Sequence, residues 1–167
     1  MARVTDKIDF LNNKRGARLG MLASVMAGDE DYAGDVTTTE AWNQLASDPD
    51  AQLIDVRTQP EWSFVGTPDI GKLGKRPMFV SWQVYPEMSV NPRFADELRA
   101  HGVRPGQALF FLCRSGARSR AAAKAMTAAG FSPCYNVSGG FEGDLDAEKH
   151  RGRLGGWKAA GLSWIQS

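Results

Sequence analysis

The chain repeats one alternation, in which a short apolar run is followed by a stretch with helical punctuation. The runs are "AQLIDV" (51–56), "MFVSWQV" (78–84), "QALFFLC" (107–113) and "CYNV" (134–137). Unbroken apolar runs of this length suit strands covered on both faces, and strands separated by helices pair in parallel. Between the runs lie helix signals. Thr37 and Glu40 have the spacing of a capping box and predict a short helix with Trp42 and Leu45 inward, ended by "SDPD". "NPRFADELRAHG" places Pro92 in a first turn, Phe94 and Leu98 four apart, and Gly102 past the end. "SRAAAKAMTAAG" is rich in helix formers and stops at Gly130, and "GGWKAAG" predicts a short final helix. The expected fold is α/β, a mostly parallel sheet with helices on both faces.

Composition narrows the function. Lys and Arg total 20 against 19 Asp and Glu, a formal charge of +1, so no basic excess exists for a nucleic-acid footprint. The two cysteines, Cys113 and Cys134, form no C-x-x-C and no disulfide framework. His101 and His150 are far apart, and neither a metal site nor a cofactor is expected. No apolar run approaches a membrane-spanning length. Near the N-terminus, "LGMLASVMAG" follows Lys14 and Arg15, but Gly20 and Ser24 break it and Asp6 and Asp9 precede it. That pattern suits a signal peptide badly, so a cytoplasmic chain is expected. Residues 1–34 read as an arm and linker, and 35–167 as one domain. A polar, glycine-rich insertion at about 139–156 is long enough to predict a mobile cover over a site.

The segment "CRSGARS" (113–119) carries the chemistry. Cys113 ends an apolar strand, and a helix follows at about Ser119. The C-terminal ends of strands are where open α/β sheets bind ligands. The amides of a loop between strand and helix form an anion cradle, and Gly116 lets the backbone turn so that they converge. Loop amides, helix dipole, Arg114 and Arg118 together favour a thiolate, so Cys113 is expected to be a nucleophile. Arg114, Ser115, Gly116, Ala117, Arg118 and Ser119 are the expected substrate-binding residues, with the arginine forks suited to oxyanions. Cys134 starts a strand in an apolar setting and is expected to be an inert thiol.

The combination resembles the rhodanese-homology domain. "LIDVRTQPEW" (53–62) is similar to that family's D-V-R-x-x-x-E-[FW] segment, "CRSGARS" to its active-site loop, "YNVSGGF" (135–141) to its strand and glycine pair, and "GWKAAGLSW" (156–164) to its terminal segment, with serine in place of proline. The resemblance covers roughly residues 34–165 and implies a five-stranded parallel sheet, with a first short strand near Asp35–Val36. It also implies sulfur transfer. The thiolate takes the outer sulfur of thiosulfate or another persulfide donor and passes it to a thiol or cyanide. The implied partners are a small anionic donor and its acceptor, with a protein persulfide as a further candidate. Asp55, Arg57 and Glu61 are implied to be supporting residues, the arginine pairing a carboxylate such as Glu61. The family's usual Gly-His is here Gly66-Thr67.

Other readings stay open. A Cys-dependent phosphatase or arsenate reductase of related fold would need five residues between cysteine and arginine, and here four, Arg114 to Ala117, separate Cys113 from Arg118. A non-catalytic regulatory module of the family would commonly lack the cysteine. Trp62, Phe64 and Trp82 read as core, while Phe141 and Trp157 read as either core or pocket lining.

Overall fold

The computed structural model describes residues 31–167, and residues 1–30 of the arm and linker expected over 1–34 lie outside them. In chain order the strands are β1 (Gly34–Val36), β2 (Gln52–Asp55), β3 (Thr67–Pro68), β4 (Met78–Phe79), β5 (Gln83–Val84), β6 (Ser89–Val90), β7 (Leu109–Leu112), β8 (Cys134–Val137) and β9 (Trp164–Ile165). Five of them form one sheet in the order β1-β8-β7-β2-β4. All its pairings are parallel. The helices are α1 (Thr38–Ser47), α2 (Gln59–Val65), α3 (Phe94–Ala100), α4 (Ala117–Ala128) and α5 (Gly156–Ala159).

Side-chain alternation along the central strands divides the core into two layers. Ile54, Leu109 and Phe111 face Phe94 and Leu98 of α3 and Ala122 and Met126 of α4. Leu53, Phe110 and Leu112 face Ala41 and Leu45 of α1 and Trp157 of α5. Both faces of β2 and β7 are thus buried, which accounts for their unbroken apolar sequence. The expected α/β class, with five parallel strands between helices, is the observed one. The Thr37 box is also present, with Glu40 N–H donating to Thr37 Oγ1 at 3.1 Å and Thr37 N–H to Glu40 Oε2 at 2.7 Å. The chain joins the core already at Tyr32, which is buried. No helix among the described residues is long and apolar enough to cross a membrane.

Four local expectations are corrected. "MFVSWQV" is not one regular strand: its ladder with β2 covers Met78–Phe79, and beyond it Val80 N–H and Trp82 N–H still donate to Asp55 O and Val56 O at 3.2 and 3.0 Å. The chain then turns away, and Gln83–Val84 folds back antiparallel on Ser89–Val90. The stretch after Arg57 forms α2, which its seven residues and lack of apolar period concealed. Pro92 lies just ahead of α3 rather than in its first turn. Phe64 is 81% exposed instead of core.

Strand order in the sheet reverses between β2 and β7. Crevices at such a reversal, beyond the strands' C-terminal ends, are where α/β sheets place ligands. Asp55–Arg57 leave β2 there, and Cys113 leaves β7 beside them.

Candidate active site

Cys113 is 1% exposed and closes β7. Its Sγ receives the Gly116 N–H at 3.1 Å, and the Ser119 hydroxyl lies within hydrogen-bond reach at 3.1 Å. The first is possible because Gly116 adopts φ +115°, which turns its amide back toward the sulfur. Helix α4 starts at Ala117, two residues earlier than expected, and its first backbone bond runs from Arg120 N–H to Gly116 O. The amides of Ala117, Arg118 and Ser119 therefore have no helical acceptor and add to the positive end of the helix dipole.

Ser119 links the sulfur to a buried polar chain. Its Oγ also lies 2.6 Å from Asn136 Oδ1, and Asn136 Nδ2 donates to Asp35 Oδ1 at 3.0 Å. The hydroxyl has one proton, so it donates either to Asn136 or to Cys113. Against a thiol it can turn its proton to Asn136 and accept from S–H, and against a sulfur anion it can donate to Sγ. Burial works against the Asp35 carboxylate, but Arg120, Tyr32 and Asn136 hold it below the usual carboxylate range. Sequence reasoning missed Asn136, although a fully buried asparagine within the apolar strand "CYNV" signals a polar partner.

The arginines behave differently from one another. Arg114 is exposed at the rim. Arg118 does not present its fork to the cleft. Its Nη1 donates to Glu61 Oε2 at 2.8 Å and its Nη2 to Glu61 Oε1 at 2.7 Å. Burial alone would raise the Glu61 carboxyl, but the Arg118 fork and the N–H and hydroxyl of Thr58 hold it down at about 2. Arg118 in turn is pushed above its ordinary value, chiefly by Glu61. Arg57, implied to pair a carboxylate such as Glu61, pairs with Asp55, Nη2 to Oδ2 at 2.7 Å and Nε to Oδ1 at 3.0 Å. It also donates to Gly66 O at 2.8 Å and lies 4.2 Å from the Phe141 ring centre. The reach explains the choice of partner. Asp55 is two residues from Arg57 at the same strand end, whereas Glu61 caps the N-terminus of α2 through Thr58 and faces α4. Arg57 and Asp55 are fully buried and brace the floor of the site.

The expected mobile cover is a pinned segment. Phe141 N–H donates to Cys113 O at 2.7 Å, Glu142 N–H to Arg114 O at 3.0 Å, and Trp157 N–H to Gly140 O at 2.8 Å. Gly140 lies so close to the cysteine loop that a Cβ there would fall 2.5 Å from Cys113 O. Phe141 and Trp157 are both fully buried. The exposed residues of the segment lie beyond, mostly within 144–150 and at Arg153 and Leu154. It brings Asp146, Glu148 and His150 together, with Arg153 on both carboxylates at 3.2 and 3.0 Å.

A cleft of about 700 Å³ opens over the loop. Cys113, Arg114, Ser115, Ala117 and Arg118 form its floor; Thr58, Pro60 and Glu61 line it from α2, Tyr85 and Met88 from the β5–β6 hairpin, and Glu142 and Arg151 from the insertion. The last four residues were not anticipated. Cys134 lies away from the cleft, and burial pushes its thiol up to about 11. A buried, donor-solvated sulfur facing a cationic cleft can act as a nucleophile toward an anionic or polar electrophile.

Residues 33–167 match the family described as the STR4 middle domain. The crystal structure of Rv0390 from M. tuberculosis is similar at 48% identity and a TM-score of 0.75, over 81% of this chain and 99% of that one. The uncharacterised RP600 homolog of Rickettsia rickettsii is 38% identical over 129 residues, 77% of this chain and 94% of the relative. The chloroplastic rhodanese-like domain-containing protein 4 of Arabidopsis thaliana is 27% identical over 127 residues, 75% of this chain and 24% of that protein. With its parallel sheet and its cysteine loop at the C-terminal edge, the chain has a rhodanese-like fold and belongs to the STR4 middle-domain family.

Proposed function

We propose that the protein is a sulfurtransferase that carries a sulfane sulfur as a persulfide on Cys113. One observation supports this above the others: Sγ lies at the floor of a cleft, with the Gly116 amide donating to it and the Ser119 hydroxyl in reach to donate to a sulfur anion. With thiosulfate, the Cys113 thiolate attacks the outer sulfur. The new S–S bond forms as the sulfur–sulfur bond of the donor breaks, and sulfite leaves with the electron pair. The persulfide anion then lies against the free amides of Ala117, Arg118 and Ser119, which stabilise its charge. A nucleophile such as cyanide takes the outer sulfur and returns the thiolate. Arg114 attracts the anion at the rim, and Arg118 holds the α4 wall against α2 through Glu61.

Two features weigh against phosphoryl transfer. The loop holds four residues between cysteine and arginine, and both terminal nitrogens of Arg118 are already engaged by Glu61. The test is intact-mass analysis after incubation with thiosulfate. The wild type should gain one sulfur at Cys113 and discharge it to cyanide as thiocyanate, and Cys113→Ser should do neither. A protein that gains no sulfur from thiosulfate or an organic persulfide, yet hydrolyses aryl phosphates through Cys113, is a phosphatase instead.

A further inference from the structure

We propose that the cleft selects a low-molecular-weight organic persulfide bearing both carboxylate and ammonium groups over a bare inorganic anion, and that Glu142 and Arg151 make the selection. This rests on the sulfurtransferase reading and names the donor class for it.

The charges in the cleft carry the argument. Arg118 and Glu61 neutralise each other. Besides the reacting Cys113 thiolate, that leaves Arg114 and Arg151 as cations and Glu142 as an anion. The Glu142 carboxylate has no ion-pair or side-chain hydrogen-bond partner among the described residues. Lys158 is close enough to feel its charge, but toward an inorganic dianion the carboxylate itself is repulsive. Beside two arginines it makes a pattern of two positive groups and one negative group, complementary to a ligand with two carboxylates and one ammonium. Such repulsion against the wrong ligand is a common source of specificity.

Both side chains spring from a fixed backbone. Glu142 N–H and Gly143 N–H donate to Arg114 O at 3.0 and 3.2 Å, and Gly152 N–H returns to Glu142 O at 2.6 Å. Arg151 spends Nη1 on Gly143 O at 2.7 Å, which leaves its remaining N–H groups for a carboxylate. The carbon skeleton of the ligand has apolar lining from Val65, Tyr85 and Met88. A cleft of about 700 Å³ falls within the roughly 300–1,000 Å³ of sites that take organic ligands. The chemistry is balanced without a further reactant. The Cys113 thiolate attacks the outer sulfur of R–S–SH, the Sγ–S bond forms, the donor S–S bond breaks, and the organic thiolate R–S⁻ leaves while the proton stays on the transferred sulfur.

The experiment compares glutathione persulfide and thiosulfate as donors, reading the second-order rate of sulfur loading on Cys113 by quenched intact-mass analysis. Glu142→Gln should slow loading from glutathione persulfide about fivefold or more and speed loading from thiosulfate about twofold or more. Arg151→Gln should slow both donors. Persulfide made from glutathione lacking its amino group should, like thiosulfate, load faster with Glu142→Gln, a check independent of any change in the variant's fold. If Glu142→Gln changes both natural donors in the same direction, or the amino-free donor responds as glutathione persulfide does, the selection is wrong while sulfur transfer stands. If no donor loads Cys113 in the wild type, both readings fall.

Discussion

Replacing Arg118 with methionine keeps an unbranched apolar stem and removes the fork from Glu61. The fork is two bonds of 2.7 and 2.8 Å between side chains only 16% and 19% exposed. Thr58 and Arg118 together hold the Glu61 carboxyl at about 2, against the 4.5 of the free group and against burial. At 1.36 kcal/mol per pH unit that difference is worth about 3 kcal/mol. The Thr58 N–H and hydroxyl survive the substitution, so we assign Arg118→Met a loss of about 2 kcal/mol at neutral pH. The sign with pH follows from linkage. A carboxyl depressed in the folded state stabilises above its unfolded value and loses that contribution as pH falls through the folded one. The wild type should therefore lose this stability between about pH 4.5 and pH 2. The variant, with the Glu61 carboxyl released upward, should lose less over the same window. Urea unfolding at pH 7, 4.5 and 2.5 measures both, and the wild-type advantage should shrink toward zero at the lowest pH. An advantage that stays constant down to pH 2.5 would mean that the substitution damaged packing and that the ion pair contributes nothing.

Two further outcomes are expected. Iodoacetamide at pH 8 should modify Cys113 at least tenfold faster than Cys134, whose thiol burial pushes up to about 11; equal rates by peptide mapping would reverse the assignment. Gly140→Ala would set a Cβ 2.5 Å from Cys113 O, at a φ of +62°, and should cost about 2 kcal/mol or more. A melting temperature equal to that of the wild type would show that the insertion does not press on the cysteine loop.

How much of this was legible in the sequence depended on range. The strand that ends on Cys113, the turn at Gly116 and the following helix are local, and their residues announced them. The Thr37–Glu40 box did so for α1. The same S/T-x-x-E spacing recurs at Thr58–Glu61 and could have revealed α2, but a seven-residue helix shows too little period to be noticed. The pairing of Arg118 with Glu61 spans 57 residues and has no local signature. The resemblance pointed to Arg57 as the partner of a carboxylate and left open which one. The run at 78–84 misled because hydrophobicity does not record where the chain leaves one neighbour for another, as Gln83–Val84 does when it pairs with Ser89–Val90. The tyrosine–proline step at 85–86 was the available sign of a fold-back.

The insertion meets the cysteine loop backbone to backbone, at Gly140 and through the amides of Phe141, Glu142 and Gly143. Main chain is the same whatever residues follow, so this seam depends little on the composition of the exposed stretch beyond it. Asp144 to His150 can lengthen, shorten or change charge while the sulfur, its amides and the α4 terminus keep their positions. Recognition and reaction are thereby placed on separable pieces of one chain. On the proposed reading, a new donor preference becomes a matter of changing the side chains at Glu142 and Arg151, which flank the outer loop, while the main chain of the seam stays as it is.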